Sequence, residues 1–175
     1  MNPDKGYIHI YTGSGKGKTT ASAGLAIRAR SHGWRVLYNY FFKPVAQKFG
    51  EHIILSSEGI QVKYYVKCAT RESPRPVRKM KREVISALQE ISKKIEEEGY
   101  DLVILDEVLI ALKNNIIPEN ILVDFLEKNR KNSELVLTGR GATPKIVKIA
   151  NMVSKIKCIK HPYTNGVKAR KGIEL

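Results

Sequence analysis

The stretch YIHIYTGSGKGKTTASAGLAIRARSHG, Tyr7 to Gly33, constrains the fold more than any other part of the chain. An apolar strand runs directly into a turn of glycines and lysines, and the turn opens a helix. A strand–turn–helix unit of this kind normally begins a parallel sheet whose crossovers are helical. The turn has the chemistry of an anion cradle. Glycines let backbone N–H groups face inward, the helix adds its positive end, and a lysine adds a full charge. Its spacing is unusual. The common phosphate loop is G-x-x-x-x-G-K-[ST]. Here Gly13-Ser14-Gly15-Lys16-Gly17-Lys18-Thr19 has three residues between the outer glycines, and Thr12 stands where the first glycine would be. The core chemistry survives. The expected nucleotide-binding set is Gly13, Ser14, Gly15, Lys16, Gly17, Lys18, Thr19 and Thr20, with Lys18 as point charge and the Thr19 hydroxyl placed for magnesium. The competing reading, a glycine-rich turn with incidental lysines, is disfavoured by the strand before it and the helix after it.

The rest of the chain repeats the alternation. Tyr7–Thr12 reads as a strand, and Thr19 to His32 as a helix closed by Gly33. Trp34–Phe42 reads as a second strand, with Ile53–Ser56 and Val62–Val66 as weaker strands. Residues 68–76 hold two prolines and mixed charge and read as a loop. Val77 to Glu98 is a long helix with Val77, Met80, Val84, Leu88, Ile91 and Ile95 on one face, stopped by Gly99. Leu102–Leu105 is a fully apolar strand closed by Asp106 and Glu107. Pro118 and Glu119 open a helix, Glu134–Thr138 is a strand, Thr143 and Pro144 form a helix start, and Ser154–Lys160 is a last strand. No repeat or long linker divides the 175 residues, so one nucleotide-binding domain over 1–175 is expected. The class is α/β, a mostly parallel sheet with helices on both faces, carrying a phosphate loop. Ligands of such sheets bind beyond the carboxyl ends of the strands. The loops Thr12–Lys18, Asp106–Glu107 and Gly139–Gly141 should therefore share one rim.

Two of those loops strengthen the nucleotide reading. A carboxylate at the end of a buried strand beside a phosphate loop holds magnesium or its water, which gives the strand DLVILDE a purpose beyond structure. In TGRGATP, Arg140 lies between two glycines just after a strand. It can reach a phosphate and stabilise negative charge growing in a transition state. The plain alternative there is a surface arginine in a turn.

Charge and cysteine content narrow the setting. A net charge of +14 favours anionic partners, either polyphosphate or nucleic acid. Much of the excess sits in dispersed lysines such as Lys79, Lys93, Lys128 and Lys131. No basic and aromatic stripe forms a nucleic-acid platform, so no nucleic-acid partner is expected. Cys68 and Cys158 are far apart and in no metal-ligand spacing, as for two reduced thiols in a cytoplasmic protein. No apolar segment is long enough for a signal peptide or a membrane span.

The loop GSGKGKTT, the strand end VILDE, the turn TGRG and the tail KHPYTNGVKARKGIEL, in this order, resemble one family: the phosphate-loop class of ATP:corrinoid adenosyltransferases. The resemblance runs from Tyr7 to the C-terminus, and the short-spaced loop and the tail are its specific parts. It implies a phosphate-loop NTPase fold of the recombinase-like (RecA-like) type in which ATP lies reversed in the loop, with C5′ of the ribose facing a corrinoid. Reduced Co(I) attacks C5′, triphosphate leaves, and a cobalt–carbon bond forms. No proton is removed, so no general base is required. Lys18, the loop N–H groups, magnesium and Arg140 then act on the leaving triphosphate. The resemblance further implies Thr19 and Glu107 as magnesium ligands with Asp106 behind them, a homodimer, and a reduced flavoprotein as electron donor.

The chain also departs from the family pattern. Members often carry an N-terminal segment that folds over the corrinoid, whereas this chain reaches its first strand almost at once, so that lid is expected to be missing or supplied otherwise. Members tend to have a phenylalanine and a tryptophan in the middle loop, which help remove the lower ligand of Co(II). Here that region reads YYVKCATRESP. Tyr64 and Tyr65 are the candidates to stand in beside the corrinoid, and strand residues in the core are the alternative. Against the whole assignment stands a recombinase-type ATPase or nucleotide-gated nucleic-acid-binding protein, in which Glu107 would activate water.

Overall fold

A computed structural model of the chain describes residues 6–43, 50–67 and 75–173. Six strands make one sheet: β1 (Ile8–Thr12), β2 (Val36–Phe41), β3 (Gln61–Tyr65), β4 (Leu102–Asp106), β5 (Glu134–Thr138) and β6 (Met152–Lys155), in the order β3-β2-β4-β5-β1-β6. All five pairings are parallel, so every connection must cross over. The crossovers carry α1 (Lys18–Ser31), α2 (Gly50–Ser57), α3 (Val77–Glu98), α4 (Ile110–Lys113), α5 (Glu119–Asn129) and α6 (Pro144–Ile149).

Successive strand residues feed opposite layers, as the pleat requires. Leu37, Val103, Leu105, Leu135 and Leu137 join a core with α3, α5 and α6, while Tyr38, Ile104 and Val136 join a second core with α1 and α2. Helices thus cover both faces. The central strands β2 and β4 are buried along their whole length, and the edge strand β6 is exposed throughout. α1 reaches the sheet closely because its buried face is small: Ser22, Ala23, Ala26 and Ala29. α3 buries Met80, Val84, Leu88, Ile91 and Ile95 of the expected stripe, but Val77 at its first position is 53% exposed.

Two strand expectations are corrected. Ile53–Ser56 lies inside α2, with Leu55 buried and Ile53 and Ile54 more than half exposed. A three-residue apolar run does not distinguish a strand from a half-buried helix, and the parallel β2–β3 pairing demands a crossover at this place. The last strand is Met152–Lys155, not Ser154–Lys160. Its partner β1 ends at Thr12, opposite Lys155, so the ladder ends there. The chain then runs on along the phosphate loop. Of the loop read over 68–76, residues 68–74 lie outside the described residues.

Candidate active site

Five neighbouring strands β2-β4-β5-β1-β6 deliver the site at their carboxyl ends. β1 runs into the phosphate loop, β4 ends in Asp106 and Glu107, β5 ends in Thr138 before Gly139 and Arg140, β2 is followed by Lys43, and β6 is followed by the tail. Ser14 to Thr20, Lys43, Glu51, Glu107, Arg140, His161 and Ile173 surround one cavity of about 270 Å³. The expected rim is therefore real, and the three loops singled out in the sequence meet on it.

The short loop is braced from outside. The Gly15 N–H donates to Ile156 O at 2.9 Å, and the Ile156 N–H donates to Thr12 O at 2.8 Å. A Cβ on Gly13 would lie 2.3 Å from Ile156 O, at a φ of +106° that side chains resist. Lys16 Nζ donates to Ile173 O at 2.8 Å, and the Cys158 N–H donates to Ser14 Oγ at 3.4 Å. Gly17, at φ +114°, has open space where a Cβ would be and opens α1. No acidic residue stands in the first turn of α1, so its positive end is left for an anion. Lys18 Nζ donates to Gly13 O and Gly15 O at 3.1 and 2.7 Å. Burial lowers the Lys18 pKa, Glu107 and Asp106 oppose that, and Arg140 and Lys43 add to it.

Asp106 is fully buried, which a carboxylate tolerates only with partners. It accepts from Thr138 Oγ1 at 2.6 Å and from Thr19 Oγ1 at 3.1 Å to each oxygen, and Lys43 Nζ lies 3.4 Å from Oδ2. Desolvation raises its pKa, against the pull of Lys43 and the two threonines. Glu107 holds φ at +63° and its N–H donates to Thr138 Oγ1 at 2.9 Å. A non-glycine residue in that region costs roughly 1–3 kcal/mol, a strain typical of functional sites. A Cβ on Gly139 would lie 3.2 Å from Glu107 Oε2, so that glycine leaves room for the carboxylate. Burial first, and then Asp106, raises the Glu107 pKa. Arg140 is exposed and donates from Nη2 to Ser14 O at 3.2 Å, tying two loops together.

Thr19, Asp106 and Glu107 offer only hard oxygen donors. Among the described residues no group of three acidic, histidine or cysteine side chains could hold a metal alone. This donor set fits magnesium, which takes one or two carboxylates and completes its shell from phosphate and water.

Tyr64 and Tyr65 do not join this cavity. Tyr64 stacks on Tyr40 with centroids 4.9 Å apart, and Tyr65 stacks on Phe41 at 5.6 Å, on opposite faces of edge strand β3. Lys43, Glu51, Thr138, His161 and Ile173 carried no role in the sequence reading. Lys43 was findable, since it follows a buried strand just as Asp106 and Glu107 do. In the sequence the tail carries only the resemblance, because nothing local says that a C-terminal segment returns to the first loop.

The family model described as ATP:corrinoid adenosyltransferase BtuR/CobO/CobP matches residues 4–175. A corrinoid adenosyltransferase from Sinorhizobium sp is 30% identical over 98% of this chain and 81% of its own. Those of Escherichia coli K12 and Salmonella typhimurium are each 30% identical, over 98% of this chain and 86% of theirs. A family match over nearly the whole chain and relatives at this identity and coverage show that the chain belongs to the ATP:corrinoid adenosyltransferase BtuR/CobO/CobP family.

Proposed function

We propose that the protein transfers the 5′-deoxyadenosyl group of ATP to Co(I) of a corrinoid and releases triphosphate. The observation that carries this reading is the composition of the cavity. Lys18, Arg140, Lys43 and the loop N–H groups converge from the ends of three strands on one small space, which suits charge building up on a leaving polyphosphate. In the transfer the cobalt electron pair forms the Co–C5′ bond, and the C5′–O pair departs with the triphosphate. The protein's work is in-line positioning and electrostatic stabilisation, with no proton to move.

Lys18 and the N–H groups of Ser14 to Thr20 hold the phosphates, and Arg140 reaches the oxygens where charge develops. Thr19 and Glu107 would hold magnesium, and Asp106, fixed by Thr138, holds the Thr19 hydroxyl in place. Magnesium neutralises phosphate charge when bound. A single nucleotide-binding domain, a homodimer, a reduced flavoprotein donor and a cytoplasmic location belong to the same reading. Among the described residues no helix is long and apolar enough to cross a membrane. Tyr64 remains the better placed of the two tyrosines for the corrinoid, since its partner Tyr40 also lies 5.8 Å from Lys43 Nζ at the cavity edge.

The test is an anaerobic assay with chemically reduced corrinoid, ATP and magnesium. A light-sensitive organocobalt product formed together with triphosphate is expected. ADP and phosphate with no organocobalt product would replace this reading by a recombinase-type ATPase.

A further inference from the structure

Lys43 stands where a divalent cation would have to work. Its Nζ is 3.3 Å from Thr19 Oγ1 and 3.4 Å from Asp106 Oδ2. Those are the lone pairs that magnesium and its water need. An ammonium and a divalent cation cannot share them, because like charges at such separations repel strongly where water is scarce. Lys43 also borders the cavity formed by the phosphate loop and Arg140. Its side chain is 18% exposed, and its flexible four-carbon stem lets the ammonium relocate without moving the backbone.

We propose that Lys43 is a mobile cation with two stations. It neutralises Asp106 while no divalent ion is bound, and it moves onto the triphosphate when magnesium takes the Thr19–Glu107 position. The proposal rests on the adenosyl-transfer reading and adds a coupling to it. Magnesium brings its own charge and also releases a lysine to the leaving group, as a third side-chain cation beside Lys18 and Arg140. No proton is transferred in this step. The ammonium donates hydrogen bonds to the oxygens that receive the C5′–O electron pair. The plain alternative is a fixed counter-ion for Asp106 that never touches phosphate.

The test uses Lys43→Met and Lys43→Gln, the latter keeping a hydrogen-bond donor for Asp106, with thermal melting to confirm that each folds. The first probe is Mn²⁺ alone, without nucleotide, followed by electron paramagnetic resonance. Removing the resident ammonium should tighten Mn²⁺ binding by at least about tenfold. The second probe is inorganic triphosphate, titrated calorimetrically with and without magnesium. Both variants should weaken triphosphate binding by at least about tenfold with magnesium present, and by less than about twofold without it. Unchanged Mn²⁺ affinity, or an equal loss of triphosphate affinity under both conditions, would overturn the two-station proposal while leaving the nucleotide site intact. Wild-type protein that fails to bind triphosphate with magnesium would overturn both the proposal and the function it rests on.

Discussion

Single side chains decide the chemistry through charge placed where it is costly to put it. Lys18 lies in the loop with its ammonium on Gly13 O and Gly15 O, and Thr19 is fixed on Asp106. Lys18→Ala and Thr19→Ala should each lower adenosyl transfer by on the order of 10²-fold or more at saturating magnesium, since each removes a charge or a metal donor from a preorganised site. Arg140 is exposed, lines the cavity and donates to a backbone carbonyl of the loop. Arg140→Ala should therefore lower turnover more than it weakens ATP affinity, as steady-state kinetics beside equilibrium binding would reveal. Glu107 should behave differently. In the proposed function Glu107 holds magnesium, so Glu107→Gln, which replaces its carboxylate by a neutral amide, should raise the magnesium requirement; unchanged magnesium affinity with loss of ADP formation would point to water activation instead. Its pH dependence has a definite sign. Burial and Asp106 hold the folded pKa above the ordinary 4.5. On acidification Glu107 thus takes up its proton earlier than an exposed glutamate would. Magnesium-dependent nucleotide binding should fall away on the acid side above the ordinary carboxylate range, and that limb should be missing in Glu107→Gln.

At the scale of elements, packing against the sheet overrides local pattern. α2 holds the run Ile53, Ile54, Leu55, of which only Leu55 is buried. As a helix it offers one residue to the core, whereas a strand would bury alternate ones. Leu55→Ala should therefore cost about 2–5 kcal/mol, while Ile53→Ala, which a strand would bury on the same face as Leu55, should stay within about 0.5 kcal/mol. Chemical denaturation of the two variants separates helix from strand at this place. The phosphate loop is likewise an element held from outside. Its missing residue makes sense beside Ile156 and Lys157, whose backbone lies so close to Gly13 and Gly15 that neither position has room for a Cβ.

At the scale of the whole molecule the question is what a net charge of +14 serves. Lys155, Lys157, Lys160, Lys168, Arg170 and Lys171 are exposed in β6 and the tail that follows it, and Lys79, Lys81 and Lys93 are exposed on α3. In the proposed function this excess charge serves to attract a polyphosphate and not a nucleic-acid strand. Oligonucleotide binding should be weak, steeply salt-dependent and indifferent to ATP. Titration of duplex and single strands at physiological salt tests this, and tight binding that ATP modulates would favour the nucleic-acid reading.

The sequence by itself determined the fold class, the phosphate loop and the strand-end carboxylates, because each follows from contacts between residues close in the chain. Strand period, glycine freedom and helix dipole are all local. It also carried the family resemblance, through motifs whose order is visible without coordinates. Tertiary structure alone decided the rest. Lys43 meets Thr19 across 24 residues and Asp106 across 63; His161 and Ile173 return to a loop more than 140 residues earlier. The end of β6 is set by the length of β1, and the helical state of Ile53–Ser56 by the parallel crossover it spans. Contacts of this kind leave no periodic trace, since they depend on which strands become neighbours and not on which residues are.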